Sequence, residues 1–309
     1  MKKQQQDIPN LNVQYFEINK QEKIKAENVL GDILAFFGQY QGTAIASYDA
    51  FIAQAPLSAT VETTMVASDN VNGYWCTPKE AKQKSVILYI HGGAYIMGSA
   101  KAFRGMGTKI AELTQVPVFL LEYPLSEQAP FPAAPESAIL AYQWLIDEGF
   151  EKIIIMGDSA GGGLALTTLQ QTTLSTIKPV AGVVFSPWTD LTFSGDSWKD
   201  STIKDLLISR AALETSAKHY INNANPKNPQ VSPLFGKMES LPPLLIQVGT
   251  NEYLLDDAVN FAYAAAEHRV KVNLEIWEAM YHVFQNDYEK LATSQRALER
   301  ATDFIRKSL

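Results

Sequence analysis

This chain of 309 residues has little that could serve for cross-linking, metal ligation or membrane insertion. Its one cysteine, Cys76, cannot close an intrachain disulfide and reads as a small strand residue, so nothing points to an oxidising compartment. No stretch reaches transmembrane length. The start, Met1 to Asp7, carries positive charge with no apolar run behind it. There is no long basic run either: 26 Lys+Arg stand against 33 Asp+Glu, and the net charge of −7 disfavours nucleic acid and anionic membrane surfaces as partners. No internal repeat or low-complexity tract divides the chain. Histidine is scarce, with only His91, His219, His268 and His282, and no motif supplies partner ligands for a metal at any of them. What is present is an ordinary globular composition, 46% hydrophobic and 19% charged, long enough for one large domain. The expectation is a soluble cytoplasmic protein.

The pattern changes character along the chain. The first fifty or so residues read as helical, with Leu30, Ile33, Leu34 and Phe37 forming one apolar stripe at helical spacing. From Val61 the pattern is β, culminating in the apolar run Val86-Ile87-Leu88-Tyr89-Ile90. Strands and helices then alternate. Strands are expected at 116–122, 152–156, 180–185, 244–248 and 272–277, and helices around 102–113, 136–146, 258–268 and 288–307. Continuous apolar strands in such alternation argue for a mainly parallel sheet covered on both faces, with its site at the carboxyl ends of the strands. The polar, Pro/Asn-rich segment 191–241, with a short helix near 209–220, reads as an insertion above the sheet.

The chemistry centres on Gly157-Asp158-Ser159-Ala160-Gly161-Gly162-Gly163, which follows the apolar strand and opens a helix. A serine on such a sharp turn is exposed above the sheet edge, and glycines two residues either side let strand and helix approach closely. The same glycines could cradle a phosphate, but their spacing matches neither the dinucleotide fingerprint nor the P-loop. A serine hydroxyl is a weak nucleophile and needs a base with an orienting acid. His282, in the loop between the last strand and the last helix, is the best base. His268 near a helix end and His219 on a surface helix read as solvated residues. The acid should fall between serine and histidine in chain order. Glu252 comes soonest after the strand ending at Val248 and is favoured. Asp256, at the start of the next helix where carboxylates serve as caps, is the alternative. Donors for an oxyanion should come from the amide of Ala160 and from the Gly-rich loop His91-Gly92-Gly93-Ala94-Tyr95, with His91 fixing that loop by a hydrogen bond.

These motifs resemble the hormone-sensitive-lipase-like branch of the α/β-hydrolases, especially its bacterial esterases. The likeness rests on His91-Gly92-Gly93-Ala94-Tyr95, on Gly157-Asp158-Ser159-Ala160-Gly161-Gly162 and on Tyr281-His282-Val283-Phe284. It extends to Pro130-Phe131-Pro132-Ala133-Ala134, Ser186-Pro187-Trp188-Thr189-Asp190-Leu191 and Ser232-Pro233-Leu234-Phe235, in the family's order from about Val61 onward. The resemblance implies an α/β-hydrolase fold in a single domain, 1–309, with residues 1–50 and about 191–241 forming a helical cap. It implies cofactor-independent hydrolysis of short- or medium-chain carboxylic esters or small lactones through an acyl-enzyme. A monomer or homodimer is expected. Ser159 would attack, His282 would carry the proton and Glu252 would hold His282. Gly92, Gly93, Ala94 and Ala160 would surround the oxyanion. Tyr95, Asp158 and Trp188 are candidate pocket residues, and Tyr95 and Trp188 could equally be ordinary core.

Three features depart from the family's common pattern. Ala94 stands where many relatives have a third glycine, and its methyl narrows the acyl space. Glu252 stands where the usual acid is Asp, as in a subgroup that includes lactone and short-ester hydrolases. Glu122-Tyr123-Pro124-Leu125-Ser126 replaces an Asp-Tyr-Arg-Leu-Ala pattern and leaves the contacts of that loop open. Other classes remain: a non-catalytic small-molecule binding protein on the same fold, or an amidase or acyltransferase using the same residues.

Overall fold

A strand that carries a continuous apolar run must be covered on both faces, and Ser85–Ile90 (β4), in which Val86 to Ile90 form that run, is fully buried inside the sheet. The computed structural model describes residues 8–82 and 84–309. The charged start, residues 1–7, lies outside them. The elements run β1 (Leu11–Phe16), α1 (Lys20–Gln39), α2 (Ala44–Ile52), β2 (Val61–Ala67), β3 (Asn72–Pro78), β4, α3 (Arg104–Thr114) and β5 (Val118–Leu121). They continue with α4 (Ala133–Asp147), β6 (Lys152–Asp158), α5 (Ser159–Gln171), β7 (Ala181–Phe185), α6 (Arg210–Ile221), β8 (Leu244–Gly249), α7 (Leu255–Glu267), β9 (Val272–Trp277) and α8 (Ala292–Ser308).

The described strands form one nine-stranded sheet in the order β1-β9-β8-β7-β6-β4-β5-β3-β2. Pairing is parallel except where β3 meets β2 and β5. Side chains alternate between its faces with the period of a strand. Val86, Leu88 and Ile90 join the core formed with α4, α5 and α7, through residues such as Ala138, Tyr142, Leu164, Leu169, Phe261 and Ala265. Ile87 and Tyr89 point the other way, into the core beneath α3 and α8, with Met106, Ile110, Leu298 and Ile305. Cys76 is buried in that second layer, and burial pushes its thiol up to about 12. Among the described residues no helix is long and apolar enough to cross a membrane.

The N-terminal region differs from the expectation of uninterrupted helix. Leu11–Phe16 is a strand that extends the main sheet, in parallel register with Val272–Trp277. Phe16 stacks on Trp277 at 4.1 Å, with the guanidinium of Arg300 4.6 Å from the Phe16 ring. The face that α1 buries is Ala26, Val29 and Ile33, packed with Trp277, Met280, Tyr281 and Phe284, while Leu34 is exposed and Leu30 and Phe37 are half-buried. α8 starts at Ala292, later than the apolar pattern suggested, because residues 284–287 form a short 3-10 turn and Asp287 accepts the amides of Lys290 and Leu291 through its carbonyl.

Candidate active site

β6 ends where α5 begins, and Ser159 sits at that junction with φ +52°, a left-handed conformation unusual for a non-glycine residue. The flanking glycines are required by contact. A Cβ on Gly157 would lie 2.5 Å from the Gly161 carbonyl oxygen, and one on Gly161 would lie 2.2 Å from the carbonyl oxygens of both Ile90 and His91. The turn therefore brings the end of β4, and the loop that follows it, directly against the serine.

His282 Nε2 lies 2.8 Å from Ser159 Oγ, and His282 Nδ1 lies 2.9 Å from Glu252 Oε2. The other oxygen, Glu252 Oε1, accepts the Gly249 amide and the Ser186 hydroxyl, the latter at 2.8 Å. Glu252 is wholly buried, and the His282 side chain is 11% exposed. Burial draws the imidazole down, but the hydrogen bond and charge of Glu252, with the charges of Asp205 and Asp158 behind it, outweigh burial, and the net shift is above the ordinary histidine value of 6.5. Asp256 is elsewhere: its Oδ2 accepts the Ser197 amide at 2.9 Å. Its neighbour Asp257, buried, accepts the amides of Thr189 and Asp190 at 2.9 and 2.8 Å. The two helix-opening carboxylates hold loops, and Glu252 alone of the three reaches the imidazole. His219 is exposed on α6 and His268 is exposed just past the end of α7, with Nδ1 2.9 Å from the Ala264 carbonyl.

The loop after β4 faces the same point. Gly93 has φ +124° and Ala94 +53°, and a Cβ on Gly93 would lie 2.0 Å from the Met97 carbonyl oxygen, so that residue must be glycine. The Gly92 amide donates to Asp158 Oδ1 at 3.0 Å. Gly92 thus borders the site without a free donor, whereas the amides of Gly93, Ala94 and Ala160 have no acceptor among the described residues. The open question over Glu122 to Ser126 has a definite answer. Tyr123 donates to the His91 carbonyl at 2.8 Å, Ser126 donates to the Tyr95 carbonyl through both its amide and its hydroxyl, and Glu122 accepts the Ala100 amide. This segment braces the loop at both ends.

His91 is buried between Phe103 and Tyr123, its Nδ1 2.8 Å from the Gly92 carbonyl. Burial pulls it down to about 4, so it is neutral and donates from Nδ1 to that carbonyl. Tyr95, Asp158 and Trp188 lie around the site but are all buried. Tyr95 stacks on Tyr220 of α6 with centroids 3.7 Å apart. Asp158 accepts Tyr89 Oη at 2.8 Å besides Gly92, and burial lifts it to about 6 against those hydrogen bonds. Sequence reasoning placed Asp158 near the substrate; in the structure its carboxylate anchors the loop. It named Ser186 only as the start of the segment Ser186 to Leu191 and gave it no role, whereas its hydroxyl holds Glu252.

Nine strands in this order, a serine at the tight β6–α5 turn and an acid and histidine on later loops define an α/β-hydrolase. The α/β-hydrolase family model matches residues 87–286, and the chain belongs to that family. It is 36% identical to an acetyl-hydrolase of Streptomyces hygroscopicus, over 75% of this chain and 78% of that one. It is 35% identical to an esterase of Acinetobacter venetianus, over 73% of this chain and 76% of that one. A solved structure described as an esterase from the bacterial hormone-sensitive lipase family superposes with a TM-score of 0.87 at 32% identity, covering 94% of this chain and 99% of that chain. The chain lies in the hormone-sensitive-lipase-like branch of the family.

Proposed function

We propose that the chain is a serine carboxylesterase acting on small carboxylic esters or lactones through an acyl-enzyme. The observation that carries this reading is the continuous path from Ser159 Oγ through His282 to Glu252, at 2.8 and 2.9 Å, together with the amides of Gly93, Ala94 and Ala160, which have no acceptor among the described residues. His282 donates from Nδ1 to Glu252, which leaves Nε2 unprotonated and able to take the Ser159 proton. As Oγ bonds to the substrate carbonyl carbon, negative charge passes to the carbonyl oxygen, where the three amides receive it. Collapse breaks the bond to the alkoxy oxygen, to which imidazolium Nε2 gives its proton. Water, deprotonated by the same nitrogen, then attacks the acyl carbon and restores Ser159. The names of the relatives, an acetyl-hydrolase and an esterase, support the substrate class.

The inserted segment, together with α1 and α2, serves as the cap in this reading. The stacking of Tyr220 on Tyr95 and the packing of Leu207 against the α1 cluster support that role. The buried, unpaired Cys76 suits a reducing cytoplasm. A panel of esters and lactones of graded acyl length, run beside amides and acceptor alcohols, tests the proposal. Turnover concentrated on the shorter esters or lactones supports it, and preference for amides, or for transfer to the added alcohol, would move the chain to a different activity.

A further inference from the structure

Three contacts from the inserted segment converge on Tyr253, the residue after Glu252. Its amide donates to Asp205 Oδ2 at 3.1 Å, its carbonyl accepts from Ser197 Oγ, and its ring stacks on Trp198 with centroids 5.2 Å apart. Asp205 is buried, and its other oxygen accepts the amides of Leu207 at 3.1 Å and Ile208 at 2.9 Å. Burial raises the Asp205 carboxyl above the ordinary carboxylate range, and the three N–H donors that converge on it work against that shift by favouring the charged form. The mechanism above leaves this carboxylate unused. A buried carboxylate away from solvent is costly unless its charge is matched. The His282 imidazolium is a cation whose charge acts on this carboxylate.

We infer that Asp205 is a positioning residue for ester hydrolysis: it fixes the Tyr253 amide, and with it the Glu252 loop, and holds a second negative charge near the imidazolium that forms as Ser159 attacks. The inference rests on the reading of Ser159 and His282 given above. The charged groups acting on His282 come from three elements: Glu252 after β8, Asp158 at the end of β6 and Asp205 in the insertion. Those acting on Asp205 are His282, which favours its charge, and Glu252, which opposes it. The arrangement couples the insertion, through one side chain, to both the orientation of the acid and the basicity of the base.

The test is the pH profile of kcat/KM and kcat for a chromogenic short-chain ester, measured on the full chain for wild type, Asp205→Asn, Ser197→Ala and Ser159→Ala. Asp205→Asn keeps the shape and removes the charge. The acid limb should move down by about half a pH unit, on the scale of one charge acting through a partly screened interior, and kcat should fall several-fold with KM nearly unchanged. Ser197→Ala removes a neutral contact to the same residue and should leave the limb in place while lowering Tm. An unmoved limb in Asp205→Asn, even with lower kcat or Tm, would reduce Asp205 to a structural tether and overturn the inference. Should Asp205→Asn not fold, Asp205→Ser is read by the same criterion. Ser159→Ala separates the two levels: ester turnover surviving in that variant removes the underlying reading, whereas Ser159-dependent turnover with an unmoved limb removes only the role of Asp205.

Discussion

The Ser186 hydroxyl donates to Glu252 Oε1 at 2.8 Å and accepts the Val283 amide at 3.2 Å, so one side chain at the end of β7 holds both the acid and the residue beside His282. Ser186 and Val283 both have positive φ, +45° and +50°, the left-handed conformation that non-glycine residues adopt only where their surroundings hold them there. Ser186→Ala should therefore lower kcat about tenfold with little change in KM, since one hydrogen bond to a charged group contributes about 1.5–3 kcal/mol and part of that holds the acid in line. Steady-state kinetics on a small ester reads the split. A change confined to KM would assign Ser186 to the substrate pocket instead.

Glu252 and Asp256 differ in what they touch, so their variants should differ in kind. Glu252→Gln removes the charge facing His282 Nδ1 and should cut kcat by roughly four orders of magnitude, the scale seen when a triad carboxylate is lost. Asp256→Asn disturbs only the Ser197 loop and should stay within a few-fold of wild type. The reverse ordering would reassign the acid.

The raised value of His282 sets the direction of the pH dependence. The base works unprotonated, and a pKa above 6.5 keeps the ring protonated to a higher pH than a free histidine. The kcat/KM profile of wild type should thus lose activity as pH falls through a midpoint above 6.5, and Glu252→Gln should carry its residual limb to lower pH. A wild-type limb below 6.5 would mean that burial outweighs the carboxylates.

Close packing at the nucleophile turn makes Gly161 intolerant of any side chain. Gly161→Ala sets a Cβ 2.2 Å from two backbone carbonyl oxygens, neither of which can swing aside, and should destabilise the fold by more than about 3 kcal/mol. Thermal melting reads this directly. A Tm within a few degrees of wild type would show that the β4 end yields.

What was legible in the chain follows the range of the interactions. The turn at Ser159, the loop at Gly92 to Ala94 and the order Ser159, Glu252, His282 are written in local motifs and strand ends, and the structure brings those residues together. The edge strand β1 was not read. Leu11 and Val13 alternate with polar residues as a half-buried strand should, but six residues beside a long helical pattern give a weak signal, and the pairing that makes it a strand joins it to β9, over 250 residues away. Smaller separations, 66 and 48 residues, are enough to hide the commitment of the Gly92 amide to Asp158 and the grip of Asp205 on Tyr253. Buried hydrogen bonds between distant loops leave no periodicity in a sequence. Phe16→Ala tests the unread strand: losing the stack on Trp277 should cost about 3–5 kcal/mol and lower Tm, with kcat per folded molecule retained.

The central claim is that Ser159 Oγ is the nucleophile of an ester hydrolysis. Rapid mixing of the protein with a chromogenic short-chain ester reads it most directly, with Ser159→Ala as the matched control. Turnover by wild type and its loss by several orders of magnitude in a Ser159→Ala protein of unchanged fold is the predicted result. Full turnover by Ser159→Ala would contradict it.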